Sequence, residues 1–164
     1  MRYYNNMDVF DKFYKEHRHR LFAYLMRMTG NYHQSCDILQ ESFTRCLEHY
    51  GSQTRNVSLL YTIARNTLFD HFRRSKRNYH QVENLEDTTN NQEHALMVRQ
   101  EYRQVLAGMQ KLNKDERDIL ALTLSGELSY KQIASIVGIS QGNVKVKVHR
   151  ARMKLKEILR KRSS

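Results

Sequence analysis

The chain contains no proline in its 164 residues and only six glycines. Average usage would give a chain of this length about eight prolines and about eleven glycines. Proline removes a hydrogen bond from a helix interior and clashes with the preceding turn, and glycine is the next most unfavourable residue there. Because these residues are absent or rare, we expect an all-α protein that is helical through most of its length.

Simple sequence features argue against several classes of protein. No run of eighteen consecutive apolar residues is present, so we expect no transmembrane helix and no membrane insertion. The first residues, MRYYNNMD, lack the apolar core and the cleavage site of a signal peptide. Two cysteines do not make a disulfide scaffold. These features together predict a cytoplasmic protein.

The charge of the chain is strongly basic and unevenly distributed. Lys and Arg number 28 against 17 Asp and Glu, a net charge of +11. Residues 1–77 carry a net +6, residues 78–101 a net −4 and residues 102–164 a net +9. Such an excess predicts a polyanionic partner, either nucleic acid or an anionic membrane. Composition alone equally allows a basic protein without such a partner.

The acidic segment between the two basic blocks predicts a domain boundary. Residues 83–92 contain a single apolar side chain, Leu85, so this run cannot bury enough surface to fold alone. A structureless loop of about sixteen residues is unusual inside one domain. We therefore expect two small helical domains, residues 1–77 and 94–164, joined by a flexible acidic linker at residues 78–93.

Apolar spacing and capping residues place the helices within these domains. Apolar residues of the first domain recur at helical spacing with breaks at Gly30 and Gly51, which predicts three helices, the third capped by Ser58. A helix carrying Leu96, Met97 and Met109 is expected to open the second domain. Three more helices are expected to follow N-cap residues, namely Asn113, Ser129 and Ser140.

The segment LSYKQIASIVGISQGNVKVKVHRAR, residues 128–152, has the pattern of a helix-turn-helix. A short capped helix is followed by a turn at Gly138 and then by a longer basic helix. Val144, Val148 and Leu155 are expected to face inward, which leaves the basic residues on the other faces. The start of such a helix reads base edges in the major groove. An ordinary helical hairpin with a solvated basic face is the alternative.

Two further motifs stand before the helix-turn-helix. They are DILQESF at residues 37–43 and LYTIARN at residues 60–66, the latter followed by Asp70, Arg73 and Arg74. In this order and at these spacings, the three motifs resemble those of bacterial sigma factors of the extracytoplasmic-function (ECF) type. The resemblance covers almost the whole chain.

The resemblance implies that the first motif, D-x-x-Q-E-x-F in the family, binds a coiled coil of core RNA polymerase. The residues expected to make this contact are Asp37, Leu39, Gln40, Glu41 and Phe43. Phe43 also fits the internal apolar stripe of its helix, so a place in the core is an open alternative. For Gln40 and Glu41 the alternative is a solvated helix face.

The resemblance also implies that the chain contacts double-stranded and locally melted promoter DNA. The residues expected at the −10 element are Asn66, Asp70, Arg73, Arg74 and Lys76. The loop at residues 52–56 corresponds to the base-capturing loop of the family. Those expected at the −35 element are Gly142, Asn143, Lys145, Val146, Lys147, His149, Arg150 and Arg152. For Asp70, an ion pair with Arg74 one helical turn away is an alternative role.

This chain departs from the family pattern at two places. Leu59 stands where the family often has Trp, which should alter packing only. In the last helix, Asn143 and Val146 stand in the stretch where the family often shows G-T-V-[KR]-S-R. Val146 replaces a small hydroxyl residue that faces DNA, although its methyl groups can contact thymine. The −35 preference therefore does not follow from the sequence.

The sequence as a whole predicts a sigma factor that binds core polymerase, directs it to promoters and helps to open the DNA. The family implies an anti-sigma protein as a further partner. No catalytic, metal or cofactor site is expected, which argues against a nucleic-acid-processing enzyme. A stand-alone helix-turn-helix repressor or activator is the other alternative, and the D-x-x-Q-E-x-F motif counts against it.

Overall fold

A computed structural model describes residues 2–78 and 100–164 of the protein, and these residues form seven α-helices and no strand. The first half consists of α1 (Arg2–Thr29), α2 (Tyr32–Tyr50) and α3 (Val57–Asn78). The second half consists of α4 (Gln100–Gln110), α5 (Lys114–Leu124), α6 (Tyr130–Val137) and α7 (Gln141–Arg162). The predicted all-α class is confirmed. Residues 79–93 of the predicted linker, and the predicted helical residues Leu96 and Met97, lie outside the described residues.

The first half is a bundle in which α2 packs against both α1 and α3. Its core is made by the apolar stripes that the spacing predicts, and its members include Leu21, Leu25, Ile38, Phe43 and Leu68. Gly30 and Gly51 end the first two helices, with φ angles of 63° and 74°. Only glycine adopts such angles without steric cost, so the sequence fixes where these two helices stop.

Side-chain caps open the helices of the second half as the sequence predicts. Asn113 and Ser129 each form a complete capping box with the residue three positions on, and Ser140 accepts the backbone N–H of Asn143. The prediction for α3 was wrong, because Asn56 rather than Ser58 caps the helix, and its side chain accepts the N–H of Leu59 in the first turn. Ser58 lies one residue inside the helix, where its carbonyl accepts the Thr62 hydroxyl.

The two halves pack against each other, with α1 contacting α4 and α5 and with α3 contacting α6. At the end of α1, Gln110 donates to the Arg27 carbonyl at 3.1 Å and Arg117 donates to the Met28 carbonyl at 3.0 Å. The Arg117 guanidinium also donates to three carbonyls around the end of α4, those of Met109, Gln110 and Leu112. One arginine thus ties together chain segments from both halves.

None of the helices in the described parts of the chain combines the length and apolar character that a membrane crossing requires.

Candidate nucleic-acid interface

The helix-turn-helix forms where the sequence predicts it, from α6, the turn at residues 138–140 and α7. Gly138 has a φ of 80°, and its N–H donates to the Ala134 carbonyl at 2.9 Å. Ile139 donates to the same carbonyl at 3.1 Å and packs its side chain against the core. Buried Ala134 lets the two helices approach closely. The turn therefore fixes the direction in which α7 leaves the second half.

One face of α7 is fixed in the core by Val144, Val148, Ala151 and Leu155, all of which are buried. The residues expected at the −35 element consequently lie on the outer faces of α7. All eight are exposed, namely Gly142, Asn143, Lys145, Val146, Lys147, His149, Arg150 and Arg152. Val146 keeps 47% of its surface exposed, which leaves its methyl groups free to contact a base.

Four cations on this outer surface have no ion-pair partner among the described residues. Across the described ranges, Lys145, Lys147, Arg150 and Arg152 form no ion pair. Lys154, further along the same helix, differs from them because its ammonium lies 2.9 Å from the Glu116 carboxylate of α5. The start of α7 thus presents unpaired positive charge, as a major-groove reading helix requires.

The residues expected at the −10 element lie on α3, but their charges are partly paired. Asn66, Arg73, Arg74 and Lys76 are exposed, whereas Asp70 is half-buried. Asp70 forms a short ion pair with Arg73, three residues on, and lies 3.8 Å from Arg45 of α2. The hydrogen bond from Arg73 holds the pKa of Asp70 below its usual value. The ion pair of Asp70 along α3 is therefore with Arg73 rather than with Arg74.

The motif on α2 divides into two buried and three more accessible side chains. Leu39 and Phe43 are only 8% and 3% exposed, and Phe43 packs edge-on against Tyr14 with ring centroids 4.7 Å apart. These two residues hold α2 in the bundle and do not present a surface to another protein. Asp37 and Gln40 are exposed, and the Gln40 amide donates to the Tyr14 hydroxyl at 3.3 Å.

Glu41, the remaining residue of the motif, links α2 to α3. Its carboxylate lies 2.5 Å from the guanidinium of Arg45 and 2.8 Å from Nε2 of His71. The hydrogen bond to His71, followed by the charge of Arg45, holds the pKa of Glu41 below its usual value. Because Arg45 also lies near Asp70, the carboxylate expected at the polymerase and the one expected at the −10 element share the same cation.

Sequence reasoning missed a group of polar side chains that joins the two halves. Asp118 of α5 is 2% exposed and accepts hydrogen bonds from the Tyr24 hydroxyl at 2.9 Å and from Arg65 Nε at 2.7 Å. Burial raises the pKa of Asp118, and the charge of Arg65 opposes this shift. Burial and the neighbouring carboxyl also raise the pKa of Tyr24. Arg65 additionally stacks over the Phe69 ring, 4.5 Å from its centroid.

A second carboxylate repeats this arrangement in the turn between α5 and α6. The Glu127 side chain is 5% exposed, and Nδ1 of His17 lies 2.7 Å from its Oε1. The Tyr61 hydroxyl donates to Oε2 at 2.9 Å, and burial raises the pKa of Tyr61. Tyr61 and Arg65 both belong to the LYTIARN motif, so this motif contacts the second half.

In residues 2–78 and 100–164, no group of three or more His, Cys, Asp and Glu side chains is arranged to hold a metal ion. Both cysteines are free, and Cys46 is buried.

Comparison with known protein families agrees with the order of the motifs. The family "Sigma-70 region 2" matches residues 13–78, which span most of α1 and all of α2 and α3. The family "Sigma-70, region 4" matches residues 102–155, which include the whole helix-turn-helix. The two matches together cover well over half of the chain.

Individual relatives extend over nearly the full length. The chain is 30% identical to the ECF RNA polymerase sigma factor SigM of Bacillus subtilis, over 90% of this chain and 93% of SigM. It is 31% identical to the ECF RNA polymerase sigma factor SigL of Mycobacterium tuberculosis, over 84% of this chain and 81% of SigL. Among solved structures, it is similar to the sigma factor RpoE from Bartonella quintana, solved with the anti-sigma factor NepR. That similarity has a TM-score of 0.74 at 21% identity and covers 92% of this chain and 96% of RpoE.

Proposed function

This chain belongs to the ECF group of the sigma-70 family, and we propose that its promoter and polymerase contacts are divided among α7, α3 and α2. The protein is a sigma factor and not an enzyme: it binds core RNA polymerase, directs it to promoters and helps to open the DNA. The comparisons support this function over that of a stand-alone repressor or activator, since both sigma-70 regions match.

The observation that carries the assignment of α7 is its outward, unpaired basic surface. Lys145 and Arg150 lie near the start of the helix and are assigned to position and sequence at the −35 element. Arg152 lies further along and is assigned to the DNA backbone. Bidentate contacts of Arg to guanine are the commonest specific contact in the major groove. The exposed methyl groups of Val146 are assigned to a thymine methyl.

The −10 contact is assigned to the exposed side of α3. Asn66 and Asp70 carry the groups that hydrogen-bond to base edges, while Arg73, Arg74 and Lys76 neutralise phosphates. The loop at residues 52–56, which joins α2 to α3, is assigned to the capture of an unstacked base. Unstacking costs a few kcal/mol, which these contacts have to offset.

Core polymerase binding is assigned to the accessible residues of the α2 motif, Asp37, Gln40 and Glu41, with Leu39 and Phe43 holding the helix in place. The double variant Gln40→Ala/Glu41→Ala should weaken core binding by roughly tenfold or more if these residues belong to the minority of interface residues whose truncation costs over about 1 kcal/mol each. The control is Glu48→Ala on the same helix, also exposed, which should bind normally. Circular dichroism would verify that the fold is retained. Unchanged affinity would remove Gln40 and Glu41 from the interface.

The division into two domains is a further part of this proposal. In this assignment, residues 1–77 and 94–164 are separate units that are joined by residues 78–93. Limited proteolysis of the free protein should cut first between Tyr79 and Gln92. Protection of this stretch together with cleavage elsewhere would contradict the division.

The relatives suggest a regulatory partner and a location. RpoE was solved with the anti-sigma factor NepR, and CnrH with the cytosolic domain of CnrY. We propose that an anti-sigma protein also inhibits this chain and that the protein acts in the cytoplasm, where polymerase and promoter DNA are found. Co-purification of the tagged protein from its own cells, followed by identification of bound proteins, tests this proposal. Recovery of core polymerase alone under all growth conditions would contradict it.

A further inference from the structure

We propose that Arg45 of α2 is a positioning residue for the −10 contact: it holds the Asp70 carboxylate of α3 as a hydrogen-bond acceptor, so that Asp70 selects adenine or cytosine at one base pair. This inference rests on the proposed function for the assignment of Asp70 to the −10 element. The place of Arg45 beside Asp70 rests on the contacts between α2 and α3.

The Arg45 side chain is anchored by Glu41, one helical turn earlier on α2. Nη2 of Arg45 lies 2.5 Å from one oxygen of the Glu41 carboxylate, and Nε2 of His71 lies 2.8 Å from the other oxygen. His71 directly follows Asp70 on α3, so the Glu41 carboxylate holds the neighbouring helix next to Asp70. The remaining end of the guanidinium, Nη1, lies 3.8 Å from Oδ2 of Asp70. Glu41 thus fixes a positive charge beside Asp70.

Asp70 lies between two cations that differ in how firmly they are held. Arg73 of the same helix forms a short ion pair with Asp70, but its side chain is 67% exposed. Arg73 is also assigned to a phosphate, and exposed ion pairs of this kind are weak, so DNA can draw its guanidinium away from Asp70. The Arg45 side chain is 33% exposed and is paired with Glu41 as well. Arg45 is therefore the cation that stays beside Asp70 in the DNA complex.

The charge of Asp70 decides which base edges it can contact. An ionised carboxylate only accepts hydrogen bonds, whereas a protonated one also donates. The hydrogen bond from Arg73, together with the charges of Arg73 and Arg45, lowers the pKa of Asp70, which favours the ionised form. In the major groove, adenine and cytosine present an amino donor, whereas guanine and thymine present oxygen acceptors. An ionised Asp70 is therefore attracted to adenine or cytosine and repelled by guanine or thymine.

The test is binding of promoter duplexes whose −10 base pairs are exchanged one at a time. The protein is used with saturating core polymerase, at a temperature low enough to keep the DNA closed. The original chain should prefer adenine or cytosine over guanine or thymine at one base pair by about tenfold. Asp70→Asn should lose this preference, because an amide both donates and accepts. Arg45→Gln should reduce the preference to about a third or less, because Asp70 loses its remaining cation.

Two further variants separate the charge of Arg45 from its shape and from charge in general. Arg45→Lys keeps a cation that can lie between Glu41 and Asp70, so it should keep the base preference within about twofold. The matched control is Lys15→Ala, which removes the cation of an i,i+4 pair on α1, where the ammonium lies 2.6 Å from Asp11. This control should keep the full preference, because the pair of Lys15 with Asp11 does not involve Asp70.

The outcomes distinguish this inference from the assignment on which it rests. If Asp70→Asn loses the preference but Arg45→Gln keeps it, Arg45 is not a positioning residue, although the −10 assignment stands. If Arg45→Gln weakens binding equally for all base pairs, Arg45 contacts a phosphate, which also overturns the inference. If Asp70→Asn keeps the full preference, the assignment of Asp70 to a base fails together with the inference. Circular dichroism verifies the fold, and Arg45→Ala, with the best helix former, replaces Arg45→Gln under the same criteria if helical signal is lost.

Discussion

The two helices assigned to promoter DNA differ in how their cations are used inside the protein. On α7, Lys147 and Arg150 are exposed, and neither forms an ion pair in the ranges that the structure describes. On α3, Arg73 is paired with Asp70 of the same helix, and Arg65 is paired with Asp118 of the opposite half. The two helices also differ in charge, because α7 carries nine Lys and Arg residues and α3 only five, although each has 22 residues and one acidic residue.

The difference means that cations of α7 can contact phosphates directly, whereas some cations of α3 have to break an ion pair first. A free cation gains the whole effect of counterion release when it meets a phosphate. A paired cation first has to break its ion pair with the carboxylate, which costs about 0–1 kcal/mol when the pair is exposed. For a buried pair, leaving one partner uncompensated costs about 3–5 kcal/mol. We therefore expect α7 to bind its DNA element without rearrangement. On α3, we expect ion pairs with Asp70 and Asp118 to be replaced by contacts with DNA.

The largest expected effect is on sequence reading by α7. Arg150→Ala should lower affinity for the −35 duplex by about 1–3 kcal/mol and relax specificity at one base pair, since an Arg that reads guanine contributes about this much. The measurement is affinity for a −35 duplex and a scrambled duplex at several salt concentrations, with Lys161→Ala near the end of α7 as the control. If Arg150→Ala leaves both affinities and both salt dependences unchanged, α7 is not the reading helix.

A smaller effect should separate a free from a paired cation within α7. Lys147→Ala should lower the slope of log K against log salt by about 0.9, the value for one phosphate contact on duplex DNA. Lys154→Ala should weaken binding to all sequences but lower the slope by less, because Lys154 has to leave Glu116 to reach a phosphate. Equal slopes for the two variants would show that the Glu116 pair has no influence.

The smallest effect should appear when the same comparison is made within α3. Arg74→Ala should lower the salt slope for a single-stranded −10 fragment by about 0.7 in the complex with core polymerase. Arg73→Ala should lower it less, because part of the gain at the phosphate is offset by loss of the Asp70 pair. Ser75→Ala, an exposed neutral position between these residues and Lys76, serves as the control. A larger change for Arg73 than for Arg74 would contradict this reasoning.

Much of the fold was predictable because its determinants are local. Gly30, Gly51 and Gly138 end helices through their left-handed backbone, and Ser129 caps α6 through its own neighbour three residues on. Period-3.6 spacing likewise identified the inward face of α7. Ser58 was the exception, since Asn56 lies only two residues earlier and both residue types accept a helix N–H.

The contact between the halves was not predictable from such signals. Asp118 is separated from Tyr24 by 94 positions and from Arg65 by 53, and no periodicity connects them. Asp118 stands in the first half of α5 and Glu127 in the turn after it, and no neighbouring residue in the sequence distinguishes either from a solvated carboxylate. The pair of Arg45 with Asp70 was missed for the same reason, because it joins α2 to α3, whereas the pair of Arg45 with Glu41 is an i,i+4 pair within α2 that follows from a local rule.

The four carbonyls held by Arg117 have a consequence for how sequences of such proteins are compared. Its guanidinium donates to Met28, Met109, Gln110 and Leu112, each at 3.0 Å, which uses all three of its nitrogens. A lysine has a single nitrogen with three donors and cannot reproduce this planar arrangement. A substitution score that treats Arg and Lys as interchangeable would therefore rate Arg117→Lys as neutral at a position where the backbone of two chain segments depends on the shape of the side chain.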